Sequence, residues 1–217
     1  MTEEEARLWL STNLDVSRET EERLGAFVAF LIEEAKLQNL ISAATLDHIW
    51  ARHIVDSAQL LRFAEKTGSW IDLGSGAGFP GLVIALLSDH RVTLVESRAR
   101  RIDYLSRAVD FLGLKDRVCI AGSSIERVET APFSVISARA FAPLPRLLDL
   151  AVRFSTVKTL WLLPKGKNAG KELHEAHGRW NLDFNVETSI TDSEAGILVG
   201  HVLGERPRAS MKGRRKR

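Results

Sequence analysis

Ile71-Asp72-Leu73-Gly74-Ser75-Gly76-Ala77-Gly78-Phe79-Pro80-Gly81 is the stretch on which the fold turns. An apolar segment runs into an acidic residue and then into alternating glycines. Trp70 to Leu73 has the length and composition of a short buried strand. Leu82 to Leu87 reads as an apolar helix with Pro80 near its first turn, where a missing N–H costs nothing. A glycine loop thus joins a strand to a helix. Glycines lack the Cβ that would hold a bound molecule off the backbone, and a helix N-terminus points unpaired N–H groups and a partial positive charge at it. The arrangement suits a ligand with an anionic end. The plainer alternative is a tight turn that needs glycines for its own geometry.

Beyond this loop the hydrophobic period switches repeatedly between strand and helix. Strands are expected at Arg91–Val95, Arg117–Ala121, Phe133–Ala138 and Thr159–Leu163, and helices at Arg98–Leu112, Leu144–Val152 and Ala169–Trp180. Two final strands, near Asp183–Thr188 and Gly196–Leu203, can form a hairpin. Ahead of the loop, Leu24, Phe27, Val28, Leu31, Ile32 and Ala35 recur at helical spacing after Ser17, a suitable N-cap. A rougher apolar stripe begins near Thr45 and ends before Gly68. Strands alternating with helices imply an α/β fold: a doubly wound, mostly parallel sheet with an antiparallel closing hairpin. The expected parts are an N-terminal helical extension over 1–67, a sheet domain over 68–204 and a basic, disordered tail over 205–217.

Doubly wound sheets bind ligands beyond the carboxyl ends of their strands. Glu96 directly follows the second strand, where a carboxylate about 20 residues past the glycines can accept both hydroxyl hydrogens of a ribose. Its alternative part is that of an acid at the start of the next helix. After the third strand, Ile125 could cover an adenine face while Glu126 or nearby backbone reads its amino edge; a helix cap explains the same residues. Arg139, after the fourth strand, suits a carboxylate or a nucleobase edge, and Phe141 either stacks on a base or fills the core, with the core favoured. Lys165 and Lys167, after the fifth, suit phosphates, although solvated loop lysines are ordinary.

With 217 residues, 45% of them apolar, the chain can bury one sizeable core. The sole cysteine, Cys119, has no internal disulfide partner, and the acidic start Met1 to Glu5 lacks the basic region of a signal peptide. No apolar run approaches the roughly 18 to 20 residues that cross a bilayer. A cytoplasmic protein without a membrane partner is expected. The net charge of +2 is uneven, because Arg206, Arg208, Lys212, Arg214, Arg215, Lys216 and Arg217 meet only Glu205 in the tail, which leaves the body net acidic. Such a tail is attracted to nucleic acid or an acidic membrane, or merely aids solubility.

The glycines fit two patterns. Gly74-x-Gly76-x-Gly78 is a methyl-donor loop, and Gly76-x-Gly78-x-x-Gly81 is a dinucleotide fingerprint. Asp72, two residues before the first glycine, and the lack of a second domain for a hydride acceptor favour the methyl donor. A dinucleotide oxidoreductase and a noncatalytic RNA-binding module are the competing classes. At these residues the chain resembles the glucose-inhibited division protein B family, bacterial methyltransferases that modify a guanine N7 in 16S ribosomal RNA with S-adenosylmethionine. The resemblance runs from about Asn39 to Lys167. It passes through Asn39-Leu40-Ile41-Ser42, Arg52-His53-Ile54-Val55-Asp56-Ser57, the glycine loop, Ser137-Ala138-Arg139-Ala140 and Leu163-Pro164-Lys165-Gly166.

The resemblance implies a class I methyltransferase (Rossmann-like) fold in which Gly74, Phe79, Ile125, Glu126 and Arg139 contact S-adenosylmethionine. Asp72, Gly76, Gly78 and Glu96 join this set from the loop physics and the ribose argument. Arg52, His53 and Lys165 match motif positions and are read as RNA contacts or site closure, with Lys167 beside them. His53 also lies on an apolar stripe, where a buried structural histidine fits as well.

The chemistry agrees with a guanine N7 target. N7 carries an in-plane lone pair and no proton, so it can attack a sulfonium methyl in line without a general base, and positioning must supply most of the rate. Cytosine C5 would need a cysteine nucleophile, and Cys119 is expected inside a buried strand. Exocyclic amines usually call for an Asn or Asp, Pro, Pro, aromatic run where this chain has Ala138-Arg139-Ala140-Phe141. An Arg139 donating to N7 would occupy the attacking lone pair, so this one catalytic candidate belongs on the cofactor carboxylate or on guanine O6. The expected partner is 16S ribosomal RNA or a small-subunit particle, with no metal and the protein a monomer.

Overall fold

The computed structural model describes residues 1–207. Five parallel strands, β1 (Ser69–Leu73), β2 (Arg91–Val95), β3 (Val118–Ala121), β4 (Val135–Ala138) and β5 (Leu160–Lys165), are joined by the antiparallel hairpin β6 (Trp180–Thr188) and β7 (Gly196–Glu205). The sheet order is β3-β2-β1-β4-β5-β7-β6. The chain therefore walks outward from β1 to β3 and returns to β1's other side with β4. Loops leaving β1 and β4 diverge at that reversal and leave a crevice at the carboxyl ends.

Among the described residues seven α-helices flank the sheet: α1 (Glu3–Asn13), α2 (Arg18–Ala35), α3 (Asp56–Ala58), α4 (Gly81–Leu87), α5 (Ala99–Phe111), α6 (Leu144–Ala151) and α7 (Ala169–Ala176). Alternation along β1 feeds two cores. Trp70 joins Leu24, Phe27, Leu82 and Tyr104 on one face, whereas Ile71 and Leu73 join Leu147, Phe154 and Trp161 on the other. The N-terminal helices thus share the core of the sheet. Ser17 caps α2 as its sequence suggests, its side chain accepting from the Thr20 N–H. Within the helical extension expected over 1–67, α1 opens on a capping box, with Thr2 and Glu5 each accepting the other's backbone N–H.

The stripe after Thr45 is not one α-helix. It is a 3-10 turn over Ala43–His48, a π-helical segment over Trp50–Val55, α3, and a further 3-10 turn over Gln59–Arg62. Tertiary contacts set this pitch: Glu3 of α1 accepts the N–H groups of Trp50 and Ala51, each at 2.9 Å, while Ile49, Trp50, Ile54 and Val55 are all buried. The helix expected to reach Trp180 stops at Ala176, because the buried Trp180 opens β6. Cys119 is also corrected: it is exposed, since β3 is an edge strand with one open face. No helix among the described residues is long and apolar enough to cross a membrane. β7 runs to Glu205, and the basic tail expected beyond it falls almost wholly outside the described residues.

Candidate functional site

The glycine loop is pinned to the end of β2. The N–H groups of Gly74 and Ser75 donate to Val95 O at 2.9 and 3.0 Å, which turns the chain sharply at the end of β1. Gly74 has φ +72°, and a Cβ there would lie 2.5 Å from the Phe141 ring, so only glycine fits. Asp72 lies beneath the loop, fully buried. Its Oδ1 accepts the Ser137 hydroxyl at 2.8 Å, and that oxygen accepts the Trp70 indole N–H at 2.8 Å. Its Oδ2 accepts the Gly81 N–H at 3.2 Å, at the start of α4. Burial pushes its pKa up to about 6 despite these bonds. Asp72 therefore has no surface to offer a ligand, and it fastens the start of the loop to the start of the helix.

Glu96 takes the helix-start part read from its position, and its other oxygen faces the glycine loop. Its Oε1 accepts the N–H groups of Ser97 and Arg98 at 2.8 and 2.9 Å, which ends β2 and opens α5. Its Oε2 accepts the Gly76 N–H at 3.2 Å, with Arg101 Nη1 at 3.7 Å. The same carboxylate borders a cavity of about 230 Å³, together with Gly74, Ser97, Ser123 and Ile125. A second cavity, of about 590 Å³, is bordered by Arg52, His53, Asp56, Arg139 and Lys165. Ala140 and Phe141 belong to the walls of both. Phe141, packed on Gly74 and against the edge of the second core, thus borders both cavities.

Arg139 organises the larger cavity. Its Nη1 donates to Asp56 Oδ2 at 2.9 Å and to Arg52 O at 3.3 Å, and its Nη2 donates to His53 Nδ1 at 2.6 Å. An arginine keeps its protons, so His53 Nδ1 must be the acceptor and the ring hydrogen is assigned to Nε2. Nε2 then donates to Thr45 Oγ1 at 3.0 Å, whose own hydrogen goes to Ser42 O at 2.9 Å. Burial first, then the charges of Arg139 and Arg52, depress the His53 pKa to about 3. The ring stacks on Phe79 at 4.9 Å, and Phe79 packs on Phe27 at 5.6 Å. Phe79 is accordingly buried behind the site, with the Arg139 guanidinium 5.5 Å from its ring centre.

Sequence reasoning missed the partners of this arginine. Asp56 Oδ1 also accepts from Thr191 Oγ1 and Gln59 Nε2, both at 3.0 Å. Gln59 further donates to Ser189 Oγ at 3.1 Å and accepts the Ile190 N–H at 3.0 Å. The irregular helix is therefore tied to the β6–β7 turn. Asp56 stood inside a quoted motif and could have been found; Thr191 and Ser189 lie in a distant turn with no local signal.

The remaining residues are dispersed. Lys165 ends β5 with its Nζ donating to Glu172 Oε2 and to Ala142 O, both at 2.9 Å, and Glu172 Oε2 also accepts the Leu144 N–H at 2.7 Å. Its ammonium group is therefore committed to holding the loop after β4. Arg52 is exposed and paired with Asp192 at 3.1 Å, and Lys167 is exposed outside the cavity walls. Ile125 walls the smaller cavity, whereas Glu126, one residue on, is exposed outside it. Gly78 packs on Leu82 of α4, where a Cβ would meet that side chain at 2.4 Å.

A family model described as rRNA small subunit methyltransferase G matches residues 20–198. The chain is 53% identical to the ribosomal RNA small subunit methyltransferase G of Rhizorhabdus wittichii over 99% of both chains. It is 48% identical to that of Zymomonas mobilis over 98% of this chain and 100% of the other. Among solved structures it shares its fold with an RNA methyltransferase from Salinibacter ruber in complex with S-adenosyl-L-homocysteine, with a TM-score of 0.56 and 16% identity over 70% of this chain and 94% of that one. On the span of the family match and the identity to these relatives, the chain belongs to the GidB family, rRNA small subunit methyltransferase G.

Proposed function

We propose that the chain transfers a methyl group from S-adenosylmethionine to N7 of a guanine in 16S ribosomal RNA, by in-line attack of the N7 lone pair and without a general base. One observation carries the absence of a base. Each acid bordering the larger cavity already holds a cation, Asp56 with Arg139, Glu172 with Lys165 and Asp192 with Arg52, and His53 has both ring nitrogens bonded. Such a cavity suits a nucleophile that has no proton to lose, and N7 is one.

The smaller cavity has the chemistry of an adenosine-bearing ligand. Glu96 offers carboxylate oxygens for ribose hydroxyls, Ile125 an apolar wall for adenine, Ser123 a polar edge, and Gly74 a floor where no side chain fits. The bound cofactor supplies a methyl group on a positively charged sulfur. Arg139 is held by Asp56 and His53 through its two terminal nitrogens, and its Nε–H can serve the cofactor carboxylate or guanine O6. Positioning of this kind, rather than proton transfer, provides the rate. A base inside structured RNA reaches such a cavity at an unstacking cost of a few kcal/mol, unless its loop already exposes it. The enzyme acts in the cytoplasm as a single chain.

The decisive measurement is nucleoside mass spectrometry of 16S rRNA from cells with and without the protein. Loss of 7-methylguanosine is expected; an unchanged 7-methylguanosine content overturns the assignment.

A further inference from the structure

We propose that an arginine-lined groove across the start of α5 holds the phosphate backbone of the RNA that flanks the target guanine. This rests on the rRNA reading above and locates the contact on a face that the sequence did not indicate.

The groove is continuous with the cofactor cavity. The cavity bordered by Glu96 shares Arg98 and Arg101 with a neighbouring depression of about 320 Å³, which Gln38, Asn39 and Arg100 complete. That depression shares Gln38, Ala99 and Arg100 with a third, of about 390 Å³, which Leu37, Arg107 and the acids Glu34 and Asp103 complete. Asn39 borders the groove and Thr45 borders the larger cavity, so the short segment 39–45 runs from one to the other.

Two of the groove's cations are available, whereas Arg101 faces Glu96 and Arg107 pairs with Glu34 and Asp103. Arg98 and Arg100 are exposed, and their side chains make no ion pair or hydrogen bond with other described residues. Arg52, Arg107, Arg139, Lys165 and Arg179 are each matched to an acid. The first turn of α5 contains no acid at all. Local physics favours acids at such a helix start, where cations meet the positive end of the dipole; Glu96 supplies one, yet Arg98, Arg100 and Arg101 follow it in the same turn. Retaining arginines against that preference marks a surface that receives negative charge from outside. Guanidinium groups pair bidentately with phosphate, and the amides of Gln38 and Asn39 add hydrogen bonds to sugar or base edges.

Arg100 borders the groove and not the cofactor cavity, so it separates the two functions. Binding of unmethylated 16S rRNA and of small-subunit particles is measured against salt for the full chain and for Arg100→Glu, Arg100→Lys and the pair Arg98→Gln with Arg100→Gln. Arg100→Glu should weaken RNA binding roughly tenfold or more at low salt and reduce the slope of log K against log salt by about one. Arg100→Lys should restore the slope. In Arg100→Glu the S-adenosylhomocysteine affinity should not change and the melting temperature should not fall, since an acid suits the start of α5. Unchanged RNA affinity and slope, in a protein that methylates the rRNA, overturn the inference. Weakened binding to the particle alone, with naked rRNA unaffected, assigns the groove to a ribosomal protein and overturns it too. A wild-type chain that neither binds nor methylates 16S rRNA overturns the function instead.

Discussion

Arg139 cannot be separated from the residues that hold it. Its guanidinium is divided between the Asp56 carboxylate and the His53 ring, which sets its plane before any ligand arrives. On the proposed mechanism, in which positioning supplies the rate, Arg139→Ala should lower methylation by on the order of 100-fold or more. The fold should survive, because Asp56 keeps its bonds to Thr191 and Gln59. Single-turnover kinetics beside thermal denaturation checks both halves, and wild-type turnover in the variant removes the role. His53 gives an independent test. A native pKa near 3 keeps the ring neutral wherever the enzyme works, so NMR of the ring nitrogens should show the Nε2–H tautomer with no titration between pH 5.5 and 8. Titration near the ordinary value of 6.5 would contradict the Arg139–His53 bond. The place of Arg139 after β4 was legible in the sequence. Its restraint was not, because Asp56 and His53 arrive from a helix more than 80 residues earlier.

At the scale of elements, the strand–loop–helix unit from β1 to α4 was almost fully legible, and its glycines divide by their surroundings. Gly74 stands under Phe141 with φ +72°, whereas a Cβ on Gly76 would meet nothing closer than 3.6 Å. Gly74→Ala should therefore cost about 1–3 kcal/mol and displace Phe141 from the walls of the two cavities, with loss of S-adenosylhomocysteine affinity in calorimetry. Gly76→Ala carries only the left-handed backbone penalty of about 1–2 kcal/mol and should bind better than Gly74→Ala. Equal losses would mean that Phe141 does not depend on Gly74. The irregular helix over 43–62 was the element least legible. Its apolar spacing fits several pitches, and Glu3 selects among them from the other end of the extension.

For the whole molecule, the buried Asp72 ties stability to pH. Below about pH 3.8 the carboxyl is protonated in both folded and unfolded chains and costs nothing. Between 3.8 and about 6 the folded protein keeps a proton that the unfolded chain releases, so stability falls as pH rises; above about 6 the full penalty is present. The shift corresponds to about 3 kcal/mol. Urea unfolding should accordingly show wild type losing ground to Asp72→Asn between pH 4 and pH 7, by an amount of that order; a gap that widens in favour of wild type would refute the burial argument. The tail makes a separate prediction about partners. Deleting residues 206–217 should weaken RNA binding and flatten its salt dependence, and an unchanged slope would exclude the tail from the contact.

The sequence by itself determined the alternation of strands and helices, the glycine loop, the acid after β2 and the cationic residues after β4 and β5. These are local patterns: period-two and helical spacing, residues without Cβ, and positions directly after a strand. Only the tertiary structure decided what those residues do. It buried Asp72 under α4, gave Glu96 both a helix start and a cavity wall, and committed Lys165 to Glu172. It left Arg98 and Arg100 without partners among the described residues. The physical reason is that charge is assigned by neighbours in space. A lysine or carboxylate looks available in the sequence until the chain brings a partner to it, and those partners here come from elements that no local spacing connects.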